Sequence, residues 1–230
     1  MTPEEWEIIA LSLKVSGVAV LLTLPVAFAL AWLLARGRFP GKLLLDALVH
    51  LPLVLPPVVT GWLLLLAFGP HGPAGRLLAD WFGVTLLFRW PGAALAAAIM
   101  ALPLMVRAMR LSIEAVDRRL EQAARTLGAS PAHVLRTVSL PLAMPGLIAG
   151  AVLGFARSIG EFGATITFVS NVPGETRTIP LAIYSALQVP GQESAVTRLA
   201  LIAVLLSLAA LVASEWLARR TGAGRGGHVL

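Results

Sequence analysis

The chain has 230 residues, of which 57% are hydrophobic and only 13% charged, against a charged share of about 25% in soluble domains. An ordinary soluble domain is thereby excluded, and the absence of cysteine excludes a disulfide framework, a thiolate metal site and a cysteine nucleophile. The 18 Lys and Arg outnumber the 12 Asp and Glu, for a net charge of +6; the placement of the basic residues accounts for this excess, and no nucleic-acid partner is expected.

Five segments are apolar and long enough to cross a bilayer core, which takes about 20 helical residues. They run over 8–35, 43–68, 92–113, 141–165 and 195–218. The runs do not alternate as barrel strands do, so helices are expected. The fold class is therefore all-α and polytopic, with a single transmembrane domain over 1–220. The Gly-rich residues 221–230 are expected to form a flexible tail. The acidic start, Met-Thr-Pro-Glu-Glu-Trp-Glu, lacks the basic region of a secretory signal, so the first segment is expected to be retained as a span.

Span 1 holds Lys14, expected to snorkel from the nearby helix end, and Pro25. Span 2 carries Pro52, Pro56 and Pro57. Prolines free carbonyls and force kinks, which suits either a helix lining a pathway or an ordinary kinked span. His50 in this span reads as a structural hydrogen-bonding residue. Between spans 2 and 3, Leu77, Leu78, Trp81 and Phe82 make a short amphipathic helix suited to the membrane interface, with Trp90 in the same belt.

The stretch 117–141, D-R-R-L-E-Q-A-A-R-T-L-G-A-S-P-A-H-V-L-R-T-V-S-L-P, is a polar, arginine-rich insert between spans 3 and 4. It predicts two short helices with a hinge. Asp117 is an N-cap, Gly128 suits a left-handed residue after the first helix, and Ser130-Pro131 opens the second. Leu120, Ala123, Ala124 and Leu127 share one face, and Pro141 is expected to end the second helix. The apolar face either docks on the chain itself or, through the small Ala123/Ala124 patch, admits another backbone.

Span 4 repeats Gly146, Gly150 and Gly154 at four-residue spacing, a small-residue face that lets a helix pack closely. Arg157 and Glu161 follow, one turn apart and able to pair. Charges inside a membrane mark a functional site by default; the alternative is a neutralised pair that locks two helices. After Asn171, Pro173-Gly174 and Thr178-Ile179-Pro180 introduce a helix too short to cross, with Thr178 as its cap.

Twelve of the eighteen basic residues fall at or beside the segments after span 1, between spans 3 and 4, and after span 5. Four lie on the opposite side, and Lys14 and Arg157 fall inside spans. By the positive-inside rule the N-terminus is outside and the C-terminus and the 117–141 stretch are cytoplasmic. There is no G-x-x-x-x-G-K-[ST] loop, no H-E-x-x-H and no His set with metal spacing. No catalytic residue and no metal site is expected.

The stretch resembles the cytoplasmic signature of bacterial ABC importer permeases: Glu-Ala-Ala, three residues, Gly, nine residues, Ile, one residue, Leu-Pro. Here Ala123-Ala124 is followed by three residues and Gly128, then nine to Val138, Ser139 and Leu140-Pro141. Gln122 stands in the usual Glu slot with Glu121 beside it, and Val138 replaces Ile. The run Phe155–Pro180 is similar to permeases of molybdate importers, and sulfate permeases share its A-R-x-x-G-E framework. The resemblance implies a homodimeric permease without bound cofactor, in the bacterial inner membrane. ATP and magnesium would sit on a cytoplasmic ATPase subunit, and a periplasmic oxyanion-binding protein would deliver the anion. Some relatives carry an extra N-terminal span, which is not expected here. The resemblance assigns a coupling hairpin over 114–140, with Glu121, Gln122, Ala123, Ala124, Gly128, Leu140 and Pro141 at the ATPase contact. Arg157, Glu161, Phe162, Gly163 and Thr165 are pathway or gate candidates. Molybdate, tungstate and sulfate stay open as cargo. An ATP-independent channel or secondary carrier is the rival of a different class; a membrane scaffold without transport is a third.

Overall fold

The computed structural model describes residues 2–222, and every regular element among them is helical. Helix α1 runs from Pro3 to Arg36, beginning about a turn before the expected span. Its start is a capping box: the Thr2 hydroxyl accepts from the Glu5 amide, and the Glu5 carboxylate accepts from the Thr2 amide. Pro25 sits inside this helix without ending it, as membrane helices allow.

Span 2 is broken rather than kinked. Helices α2 (Lys42–Val54) and α3 (Pro57–Phe68) meet at 116°. The cause is local. A residue before proline is pushed out of the helical region, and Leu55 and Pro56 both precede one. Their ψ values of 141° and 134° turn the chain into extended backbone. A single proline is tolerated: Pro52 is absorbed within α2 and Leu51 before it stays helical, so the break falls where two residues in a row precede a proline.

Helix α4 (Pro73–Phe82) buries none of its residues, leaving Leu77, Trp81 and Phe82 exposed. Helix α5 (Trp90–Ala115) is the centre of the molecule. Ala93, Ala96, Ala97 and Ala101 on α5, and Ala19, Ala27 and Ala31 on α1, are fully buried. Side chains this small let the two backbones approach closely.

The 117–141 stretch forms α6 (Arg118–Thr126) and α7 (Pro131–Val134), then a π-helical turn over Leu135–Ser139 and helix α8 (Leu140–Ile159). Pro141 therefore does not end the second hairpin helix. The chain stays helical from Pro131 to Ile159 as one 29-residue rod. The π turn offers the reason: the Leu140 amide bonds to the Leu135 carbonyl, a wider turn that accommodates the missing donor and ring of the proline immediately following. The hairpin helix and span 4 are one body.

That rod stops at Ile159, before the expected 165. Residues 160–162 break it, and α9 (Gly163–Val169) follows. Thr178 occupies the N-cap position of α10 (Ile179–Ala186), yet its own hydroxyl makes no capping bond. The cap comes from α1 instead. Ser12 Oγ accepts from the Ile179 amide at 2.8 Å while donating to the Ile8 carbonyl. Helix α11 (Glu193–Gly222) closes the fold. Of the expected 221–230 tail, residues 221–222 belong to this helix and 223–230 lie outside the described residues. Among the described residues, four helices are each long and apolar enough to cross a membrane, and the bent α2–α3 pair makes a fifth if it forms one span.

The span-4 glycines face α5. A Cβ at Gly146 would collide with the Ser112 side chain, and one at Gly154 would lie 2.6 Å from Met105 Sδ. Gly17, in contrast, has open space. Gly146→Val is expected to destabilise the fold by about 1–3 kcal/mol through overpacking. Gly17→Ala is expected to leave it within about 0.5 kcal/mol. Thermal unfolding of the detergent-solubilised protein checks both.

Candidate functional site

The first part of the site is the hairpin, at the end of the molecule where α1 finishes. Asp117 Oδ1 accepts from the Arg119 amide at 2.9 Å and Ser130 Oγ from the His133 amide at 3.3 Å, so each short helix is capped from its own sequence. Gly128 between them has φ +87°, a region open to glycine at no steric cost. This geometry leaves the apolar face uncovered. Leu127 is 89% exposed and Leu120 49%, and Gln122, Ala123 and Gly128 beside them are exposed, while Ala124 is half-buried. Docking of this face on the chain itself is not what the fold adopts. Arg118, Arg119 and Arg125 are also exposed.

Adjacent acidic-slot residues point different ways. Gln122 lies in the open. Glu121 turns inward, where Oε1 accepts from Arg36 Nη2 and from Ser139 Oγ, both at 2.9 Å. Leu140 and Pro141 are half-buried at the root of the rod. Sequence patterns gave no role to Arg36 or Ser139, because contacts spanning 85 and 18 positions leave no periodic trace.

The second part is where the two broken spans meet. Helix α3 packs across α9, and both sides of the crossing lack side-chain bulk. A Cβ on Gly61 would sit 2.6 Å from the Ala164 carbonyl oxygen, and one on Gly163 would sit 2.7 Å from Pro57 Cβ. The double-proline break thus presents its helix start to the Gly160–Phe162 break. Glu161 holds this second break together. Its Oε2 pairs with Arg157 Nη1 at 2.5 Å, and its Oε1 accepts from the Ala164 amide at 2.8 Å. A carboxylate here satisfies a free N–H and complements the positive start of α9. Glu161 is buried, while Arg157 keeps 26% of its side chain open. Phe162 packs its ring 5.0 Å from that of Tyr184 on α10, and Thr165 is buried. Two buried hydroxyls near the crossing, Thr60 Oγ1 and Ser158 Oγ, have no partner. Gly61, Thr60 and Ser158 went unread in the sequence; the one available signal was a glycine closely following Pro56-Pro57.

The end opposite the hairpin is bound by ion pairs. Glu5 Oε1 accepts from Arg198 Nε and Nη2 at 2.9 and 2.7 Å, and Glu4 pairs with Arg177. A cavity of about 510 Å³ opens there, with Glu5, Arg177, Ser185 and Arg198 in its lining. Lys14 lies with Nζ 3.8 Å over the Trp90 ring, a cation–π contact in the aromatic belt. His50 Nδ1 lies 2.9 Å from the Asp46 carbonyl, and Asp46 also pairs with Arg110. No group of three His, Cys, Asp or Glu suited to a metal occurs among the described residues.

Residues 24–223 match the family described as the binding-protein-dependent transport system inner membrane component. The chain is 60% identical over 227 residues to the molybdenum transport system permease protein of Escherichia coli (strain K12), covering 98% of this chain and 99% of that one. It is 39% identical to the sulfate transport system permease protein of Salmonella typhimurium, over 86% of this chain and 71% of the relative. In fold it resembles a chain of a bacterial alginate ABC transporter crystallised with its periplasmic protein, with TM-score 0.75, 19% identity, and coverage of 96% and 80%. A chain of an inward-facing methionine ABC transporter gives TM-score 0.70 at 16% identity, with coverage of 96% and 99%. The chain belongs to the family of binding-protein-dependent transport system inner membrane components, and it is a multi-pass transport component rather than an enzyme.

The Glu161 geometry generates a prediction. Glu161→Ala would leave Arg157 without its partner and remove the cap of α9. The expected cost is about 3 kcal/mol, the low end for breaking a buried pair, because Arg157 is partly open to relaxation. The double variant Arg157→Ala/Glu161→Ala is expected to recover part of that loss. A double-mutant cycle on thermal unfolding measures it.

Proposed function

We propose that this chain is the permease subunit of an ATP-driven molybdate importer, working as a homodimer in the bacterial inner membrane. The observation that carries the reading is 60% identity to the Escherichia coli molybdenum permease along nearly the whole of both chains. Sulfate is the second reading, supported by the 39% identical sulfate permease; the difference in identity favours molybdate. Tungstate shares the chemistry of molybdate and is included in the assay below.

In this reading the hairpin end is cytoplasmic, in keeping with the distribution of basic residues. A separate ATPase subunit, carrying ATP and magnesium, receives the face of Leu120, Gln122, Ala123, Ala124, Leu127 and Gly128. Exposed leucines on a cytoplasmic hairpin are costly in water and become favourable once covered. An ATP-independent carrier has no comparable use for them. Because the second hairpin helix is continuous with span 4, movement of the docked hairpin swings that rod directly. Helix α5 is separated from α6 only by Val116 and Asp117, so span 3 follows. Closure of two ATPases would rock the paired permeases between inward- and outward-open states. The periplasmic binding protein releases the anion at the opposite end, and the α3–α9 crossing, with Arg157, Phe162, Gly163 and Thr165, forms part of the pathway. Glu161 serves there by fixing Arg157 and α9 rather than by touching an anion.

The test is reconstitution of this permease with its ATPase in proteoliposomes. Molybdate- or tungstate-loaded binding protein is expected to stimulate hydrolysis well above the level reached with sulfate; stimulation by sulfate alone would overturn the cargo assignment. Leu127→Asp and Gly128→Asp are each expected to lower stimulated hydrolysis and uptake at least tenfold while membrane insertion is unchanged. Normal stimulation and uptake in both variants would contradict the docking role.

A further inference from the structure

We infer that α1 is a second mechanical link between the coupling hairpin and the opposite end of the permease, with Arg36 and Glu121 as its positioning residues. The inference rests on the docking role proposed for the hairpin. The chain connections alone carry hairpin motion into spans 3 and 4. The end of α1 and the start of α6 are separated by the 81 residues 37–117, yet α1 is tied to the hairpin by a nearly buried ion pair, with side-chain exposures of 12% for Arg36 and 13% for Glu121.

The clasp joins several elements at one carboxylate oxygen. Arg36 Nη2 donates to Glu121 Oε1 at 2.9 Å and to the Val116 carbonyl, the linker between α5 and α6, at 3.2 Å. The same Glu121 oxygen accepts from Ser139 Oγ at 2.9 Å, inside the π turn where the α7–α8 rod changes its hydrogen-bond register. π turns interrupt regular helix geometry and are common at functional sites. Any movement of α6 against the rod must therefore break this clasp or carry the end of α1 with it. Charge-assisted bonds away from bulk water favour the second course.

Helix α1 is fastened again at its other end. Glu5 accepts two bonds from Arg198 of α11, and Ser12 caps α10 through the Ile179 amide. From Glu5 to Arg36 the unbroken helix spans roughly 47 Å at 1.5 Å per residue. Between these attachments it packs on α5 through alanines interspersed with Val15, Val20, Leu34, Met105 and Met109. A continuous helix held at both ends transmits displacement along its length, and the helices packed closely on it move with it. The elements it reaches, α10 and α11, line the cavity at the end where the anion arrives.

The experiment uses the full complex with its ATPase in nanodiscs. It compares wild type, Arg36→Gln, Arg36→Lys and the swap Arg36→Glu/Glu121→Arg. Arg36→Gln is expected to co-purify with the ATPase and keep basal hydrolysis. Stimulation by binding protein is expected to fall at least fivefold. Arg36→Lys, which keeps the charge, is expected to retain at least half of the stimulation. A pair of nitroxide labels at Asp80 and Gln188, one on exposed α4 and one just past α10, reads the motion itself: nucleotide trapping is expected to change their separation in wild type and not in Arg36→Gln. Unchanged stimulation and an unchanged label response in Arg36→Gln would overturn the inference. If Arg36→Gln fails to assemble, Arg36→Lys and the swap decide: stimulation retained in Arg36→Lys or in the swap, each of which keeps an ion pair between the two positions, supports the link, and its loss in both assembled complexes overturns it. A wild-type complex that does not form, or is not stimulated, would instead overturn the docking role.

Discussion

Backbone crowding between α1, α5 and α8 is the constraint on which the remaining structure depends. Alanines from α1 and α5 and glycines from α8 bring three helices close enough that an added methyl group at Gly146 has no room. In lipid there is little hydrophobic drive between helices, so close packing of small residues is a principal source of cohesion. This bundle supplies the common frame. The hairpin grows from it at one end, through the linker after α5 and the root of α8. The broken spans lean on it further along, and α1 forms one of its walls while reaching both ends.

Against that frame, the irregular parts of the chain stand out as places where regular hydrogen bonding was given up. Consecutive prolines remove donors and force extended backbone at Leu55 and Pro56. At the second break Glu161 supplies the bond that the helix start of α9 would otherwise lack. Non-helical backbone at membrane depth persists only when protein or a water-filled cavity surrounds it. The two breaks meet through Gly61 and Gly163, while Leu55 is half-buried and Pro56 and Gly160 are exposed on the single subunit. A buried carboxylate used for capping and pairing leaves Arg157 as the group with part of its side chain open.

Much of this was legible in the sequence wherever the cause is local. Asp117, Gly128 and Ser130-Pro131 shape the hairpin through bonds spanning a few residues, and they appear as expected. The apolar segments are set by composition, and so is the membrane class. The capping box Thr2-Pro3-Glu4-Glu5 is a signal of the same local kind, and it starts α1 ahead of the apolar segment that hydropathy marks from residue 8. What sequence could not provide depends on distant partners. The cap of α10 comes from Ser12, 167 residues away, not from Thr178. The partner of Glu121 is Arg36. Proline also misled: Pro141 reads as a stop, but the π turn before it keeps the rod continuous. That continuity makes the hairpin a lever rather than a loop.

The central claim is that the open face of the hairpin is covered by another subunit. The chain has no cysteine, so a single Leu127→Cys substitution reports on that face alone. In the permease by itself the thiol is expected to react fully with a membrane-impermeant maleimide applied from the cytoplasmic side. In the assembled complex it is expected to be protected and to form a cross-link to the ATPase subunit with a short bifunctional reagent. Equal labelling in both states, with no cross-link formed, would contradict the account.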